Sequence, residues 1–169
     1  MAVWPPDAVL RRLEALARPP TPGLRWTTSD QWHVTLRFLG AAPPVPAGDR
    51  LDAAPGLLGR GGGPVTARLG PASAWFPRRR VLQIPVAGLD ALAAAVVAAT
   101  ADTGDPDPGV PWRGHLTLAR MRGGAPGPSE LAGTRVEASW PVEEITLVAS
   151  ELDPAGARYR IVRRVPLHR

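Results

Sequence analysis

The sequence predicts an α+β fold, and three observations carry that prediction. Strand-like runs, about seven of them, outnumber two or three helical runs interspersed among them, which suits neither a pure sandwich nor a doubly wound sheet. The 21 prolines and 18 glycines cluster between the periodic segments as punctuation. A short pattern, His-x-Thr-Leu, occurs once in each half of the chain, both times inside a strand-like run. At 169 residues the chain fills one domain of ordinary size, so residues 1–169 are read as a single domain.

Residues 7–17 read as an amphipathic helix starting at Pro6-Asp7, with Val9, Leu10, Leu13, Leu16 and Ala17 on one side and Arg11, Arg12 and Glu14 on the other. A loop at 19–23 precedes the first strand-like run, 32–39. Residues 41–48 read as loop and 49–58 as a weak helix interrupted by Pro55. After a loop at 61–64 come strands at 65–69 and 81–87, then a helix at 89–100 rich in alanine with Leu92 and Val96. Loops at 104–111 and 123–128 flank a strand at 115–121. Strands at 135–140, 145–151 and 158–165 complete the chain. The last two are joined by Asp153-Pro154-Ala155-Gly156, a strong turn signal that makes them antiparallel neighbours.

Cysteine is absent, which excludes disulfides, thiolate nucleophiles, iron–sulfur clusters and Cys-type zinc sites. All 20 basic residues are arginine against 15 acids, a net charge of +5. Guanidinium suits bidentate contact with phosphate, so the balance leans toward an anionic partner, although GC-rich coding gives the same composition. No apolar run is long enough to span a membrane, the first residues lack the pattern of a signal peptide, and a cytoplasmic protein is expected.

The repeated motif is His33-Val34-Thr35-Leu36 and His115-Leu116-Thr117-Leu118. In a strand, residues i and i+2 share a face, so each motif sets an imidazole beside a hydroxyl while the intervening apolar residues turn into the packing. Strands at the centre of two similar lobes would bring both pairs across one cleft. Two imidazoles flanking a cleft suit a reaction that removes a proton from an attacking group and gives one to a leaving group. Phosphodiester cleavage is such a reaction: threonine hydroxyls and arginine stabilise charge on the phosphate oxygens, and no metal is required. By period two, Arg37 shares the face of His33 and Thr35 and is read as a phosphate contact.

At this point the chain resembles the two-histidine phosphoesterases, and within them the RNA 2′,3′-cyclic phosphodiesterases of the 2′-5′ RNA ligase type. The resemblance is carried by Leu24-Arg25-Trp26, by His33 through Gly40, by Phe76-Pro77 before Arg79-Arg80-Val81-Leu82, by His115 through Arg120, by Ser150-Glu151-Leu152 and by the run from Tyr159 to Leu167. It implies two pseudo-symmetric lobes of mainly antiparallel sheet around a central cleft, with helices outside. It also implies hydrolysis of a 2′,3′-cyclic phosphate on RNA ends or nucleotides to a 2′-phosphate, with reversible 2′-5′ RNA ligation by the same groups. His33 would be the proton donor and His115 the acceptor, with Thr35 and Thr117 holding the phosphate. Phe38 would stack on a base and Arg120 would contact phosphate. Strict alternation puts these last two on the wrong face, so each needs a twist or bulge. No cofactor, metal or membrane is implied, and a monomer is expected.

Simpler readings stand beside these. His168 reads as a solvated tail residue, Arg78-Arg79-Arg80 as either an RNA-backbone contact or a solvated loop, and Trp26, Trp32, Trp75, Trp112 and Trp140 as core or rim anchors. The competing functional reading is a non-catalytic nucleotide or RNA-binding module on the same fold. A metal hydrolase has too few ligands in two histidines without a carboxylate partner.

Overall fold

The computed structural model describes residues 1–58, 65–153 and 156–167. Among them ten strands form one open antiparallel sheet: β1 (Ala2–Val3), β2 (Leu24–Trp26), β3 (Val34–Thr35), β4 (Thr66–Leu69), β5 (Ala74–Trp75), β6 (Val81–Ala87), β7 (His115–Met121), β8 (Ala138–Pro141), β9 (Glu144–Asp153) and β10 (Gly156–Pro166). Their order is β10-β9-β1-β3-β7-β6-β4-β8, with β2 also on β7 and β5 on β6. Along that eight-strand path the β3–β7 junction therefore has four strands on either side. Helices α1 (Asp7–Glu14), α2 (Pro44–Leu51), α3 (Ala54–Leu57) and α4 (Asp90–Ala99) complete the α+β architecture that the element order predicts.

The core lies between sheet and helices. α1 buries Val9 and Leu13, α2 buries Ala47 and Leu51, and α4 buries Leu92, Ala93, Ala95 and Val96. They meet Val34, Leu36, Ile84, Leu116 and Ile145, all essentially inaccessible, in one continuous apolar cluster. Trp32 and Trp140 are core residues, as expected; the Trp32 indole donates to the Thr27 hydroxyl at 2.9 Å.

Several expected boundaries move. The run read as a strand at 32–39 pairs as a strand only at Val34–Thr35, because the amides of Leu36 and Arg37 both turn to the Met1 carbonyl. The loop read at 41–48 contains the start of α2: its Pro44 and Pro46 sit in the first turn, where a missing N–H leaves no bond unmade. The weak helix at 49–58 is the end of α2 followed by the short α3. The strand read at 135–140 occupies Ala138–Pro141. β9 and β10 pair as predicted, with Asp153 opposite Gly156. The residues between them, the loop at 61–64 and His168 lie outside the described residues.

Candidate active site

The register fixes the site's plan. β3 and β7 are antiparallel neighbours with Val34 opposite Leu116, both fully buried. One step outward on each strand, His33 stands opposite Thr117 and Thr35 opposite His115, all four on the face away from the core. The two histidines are thus diagonal neighbours, and each ring has the other motif's threonine directly across from it. All four side chains line one cleft of about 650 Å³.

Both rings are held the same way. The Nδ1–H of His33 donates to the Gln31 carbonyl at 2.9 Å, and that of His115 to the Arg113 carbonyl at 2.8 Å. A carbonyl can only accept, so in each neutral ring the proton sits on Nδ1 and the lone pair on Nε2. Each ring also meets an aromatic edge: Tyr159 at 4.6 Å for His33 and Phe76 at 4.7 Å for His115, both close to perpendicular. Trp4 adds a tilted contact to His33 at 5.2 Å, its own indole fixed by Thr146 at 2.8 Å. The bond to the residue two back, the aromatic edge and the threonine two ahead recur at both sites as a local pseudo-twofold.

His33 is mostly buried, and burial lowers its pKa from 6.5 to about 4. The bond to Gln31 opposes that shift, while the positive charges of the chain's amino group, His115 and Arg120 add to it. The last two influences place His115 and Arg120 within electrostatic reach of the ring.

Arg120 reaches the cleft by the device its position requires. Across β6 and β7 the register slips between Leu82 and Gln83: Leu82 faces Ala119 and Gln83 faces Thr117, leaving Leu118 as an extra residue. This β-bulge flips the parity of the strand, so that Leu118 and Ala119 are both buried and Arg120 emerges on the face of His115 and Thr117. Thr27 supports the bulge, its amide donating to the Leu118 carbonyl and its hydroxyl to the carbonyls of Thr117 and Leu118, each at 2.8 Å. Phe38 reaches the rim differently: it follows the end of β3 and stands 74% exposed at the mouth of the cleft.

The expectation for Arg37 is corrected. It borders the cleft, but the chain leaves the strand after Thr35, period two no longer applies, and the guanidinium is buried under the end of α4. Nη1 donates to the carbonyls of Val97 and Thr100 and to the Thr100 hydroxyl, and Nη2 to the carbonyls of Thr103 and Asp105. It satisfies carbonyls that the helix end leaves open. Arg78-Arg79-Arg80 forms an exposed to half-buried turn with positive φ at Arg78 and Arg79, outside the cleft lining. Sequence reasoning assigned no role to Gln31, Trp4 or Phe76. The tyrosine at the head of the terminal matching run was the one available pointer to Tyr159.

Comparison with known proteins agrees with this arrangement. No family model matches the chain. A relative named RNA 2′,3′-cyclic phosphodiesterase, from Thermus thermophilus, is 34% identical over 149 residues, covering 81% of this chain and 72% of the relative. The crystal structure of TT0787, also from Thermus thermophilus, superposes with a TM-score of 0.72 at 28% identity, over 98% of this chain and 95% of that one. E. coli LigT complexed with 3′-AMP gives a TM-score of 0.70 at 28% identity, over 99% and 96%. Identity and coverage at these levels, joined to two His-x-Thr motifs meeting in one cleft, place the chain in the family of RNA 2′,3′-cyclic phosphodiesterases.

Proposed function

We propose that this protein hydrolyses the 2′,3′-cyclic phosphodiester of RNA ends or nucleotides to the 2′-phosphomonoester, with its two histidines as acid and base and without a metal ion. The observation that carries the reading is the shared posture of His33 and His115, whose Nδ1 atoms are engaged by backbone carbonyls so that Nε2 of each is left for the cleft.

In this mechanism the phosphate sits between the rings, its non-bridging oxygens accepting from the Thr35 and Thr117 hydroxyls and from Arg120. His115 Nε2 takes a proton from water as the water oxygen bonds to phosphorus. The P–O3′ bond breaks and O3′ takes its proton from His33 Nε2. The balance is one water consumed, a 2′-phosphate and a free 3′-hydroxyl formed, and a proton moved from one imidazole to the other for solvent to reset. An RNA 5′-hydroxyl in place of water would give a 2′-5′ linkage through the same groups.

In the free protein burial keeps His33 neutral near pH 7, so its donor role depends on the substrate. The anionic phosphodiester is the counter-charge that restores the proton, which makes substrate binding a proton-uptake step. Phe38, at the rim, is assigned to stack on a base. No Asp or Glu is among the described cleft-lining residues, and this favours the metal-free reading by its donor chemistry.

The test is turnover of a 2′,3′-cyclic nucleotide with chelator present, for the wild type and for His33→Ala and His115→Ala. Full wild-type activity and near-complete loss in both variants are expected. Loss of activity in chelator, or full activity in either variant, would overturn the mechanism, while tight nucleotide binding without turnover would favour the binding-module reading.

A further inference from the structure

The positive charge of the chain is not spread evenly. Residues 15–29, 53–89 and 108–129, which include β2, β4, β5, β6 and β7, hold half of the 20 arginines and none of the 15 acids. The rest of the chain is therefore net acidic, and the surplus of positive charge lies around the strand that carries His115. The proposed chemistry draws on that surplus only at Arg120.

Its densest part is the turn Arg78-Arg79-Arg80 between β5 and β6. Arg78 and Arg79 are exposed, and both have positive φ, 66° and 49°, where long side chains are disfavoured and glycine or asparagine is the usual occupant. The turn is nevertheless firmly closed. The Arg79 amide donates to the Phe76 carbonyl and the Phe76 amide to the Val81 carbonyl, each at 2.9 Å, and the Gly127 amide donates to the Arg79 carbonyl at 2.8 Å. The Arg80 carbonyl accepts from the Met121 amide at 2.9 Å and Arg80 Nη2 donates to the Met121 carbonyl at 3.5 Å, which sets Arg122, also exposed, beside the turn. Among the described residues no carboxylate is ion-paired with Arg78, Arg79, Arg80 or Arg122. Two contacts tie this patch to the site. Phe76, whose ring meets His115 edge-on at 4.7 Å, is two residues from Arg78, a span of at most about 7 Å. Val81, the residue after the turn, is the register partner of Arg120, which lines the cleft.

We propose that Arg78, Arg79 and Arg122 form a backbone-binding surface for the RNA strand whose cyclic-phosphate end lies between the histidines. A strand closed by a 2′,3′-cyclic phosphate continues only on its 5′ side, so on leaving the cleft toward the turn it presents successive phosphates to these guanidinium groups. The exposed large apolar side chains, Phe38, Val45, Leu57 and Val110, lie on other segments. A surface with one sign of charge and no apolar anchor fits a phosphate backbone rather than a protein partner or a membrane. This inference rests on the function proposed above and narrows its substrate class to the ends of RNA strands over cyclic mononucleotides.

The experiment compares kcat/KM for adenosine 2′,3′-cyclic phosphate and for a short single-stranded oligoribonucleotide ending in the same cyclic phosphate, over a range of salt concentrations. The proteins are the wild type, the pair Arg78→Asn with Arg79→Asn, the pair Arg78→Lys with Arg79→Lys, and Arg122→Gln. Asparagine suits positive φ, so the first pair removes the charge and keeps the turn. At low salt the wild type should favour the oligomer by about tenfold, the product of three exposed charge contacts each worth a few-fold, and the gain should lie in KM rather than kcat. Its slope of log kcat/KM against log salt should be steeper for the oligomer by about 2, three phosphates' worth for a single strand. The asparagine pair should reduce that difference by about 1.4 and Arg122→Gln by about 0.7, while the lysine pair retains it. Because each readout compares two substrates on one protein, losses common to both cancel. Equal slopes for the two substrates in the wild type, or an oligomer slope that the asparagine pair leaves unchanged, overturn the surface. Binding to phosphatidylserine vesicles that the asparagine pair abolishes, with no preference for the oligomer, overturns RNA as the occupant in favour of a membrane. Turnover of the mononucleotide without an oligomer preference overturns the surface alone, while no wild-type turnover of either substrate overturns the proposed function and the surface with it.

Discussion

The buried, neutral His33 has a consequence for stability that can be measured without a substrate. The ring titrates near 6.5 in the unfolded chain and near 4 in the folded one, a gap of about 3 kcal/mol in favour of the neutral form. Because the folded value is the lower, the unfolded chain binds the extra proton between these two pH values, and stability falls as pH drops through that window. The contribution is fully present above about pH 6.5 and fully lost below about pH 4. Carboxylates titrate over part of the same range, so the wild-type curve alone does not isolate the histidine. His33→Gln removes the titrating ring and leaves the carboxylates in place. Urea unfolding of both proteins near pH 7 and near pH 4 should show the wild type losing about 3 kcal/mol more than the variant across the window. Saturating inorganic phosphate, bound between the rings, should shrink that difference by raising the folded-state pKa. Equal losses in the two proteins would refute a buried neutral His33, and with it the claim that the substrate anion is what lets the ring take up the donor's proton.

Three further outcomes follow from the geometry. Thr35→Val and Thr117→Val keep shape and β propensity but remove one donor each to the phosphate, so kcat/KM for a cyclic nucleotide should fall about tenfold to a hundredfold with unfolding midpoints little changed. Arg37→Met should cost about 3 kcal/mol, because several carbonyls around the end of α4 lose their donor, without altering the salt dependence of kcat/KM; denaturant titration and kinetics at two ionic strengths separate the two effects. Gly114→Ala would place a Cβ against the Val86 carbonyl and the Trp112 ring immediately before His115, and should cost about 1–3 kcal/mol in a melting experiment while also lowering kcat.

What the sequence disclosed and what it withheld divide along a physical line. β6 and β7 were legible to the residue because both carry the pattern of centrally placed strands, and β7 holds a histidine and a threonine at period two. α1 and α4 were legible because amphipathic spacing and alanine-rich composition are local signals. α2 was hidden because three prolines in four residues read as a loop unless the helix start is already known. Arg37 and Arg120 show the limit at the site itself. Alternation assigned one to the histidine face and the other away from it, and the backbone reversed both: β3 stops at Thr35, while β7 gains a residue at Leu118. Neither event has a signature in its own segment. The first depends on the Met1 carbonyl and the second on Thr27, which lies about ninety positions from the bulge it supports. The same holds for the aromatic contact of Tyr159 with His33, made across most of the chain's length. Candidate reacting groups can therefore be read from spacing within a strand, whereas the groups that hold and surround them come from pairings that only the folded sheet brings together. Arg37 lies just past a strand end, where period-two reasoning has no further hydrogen-bonded ladder to rest on.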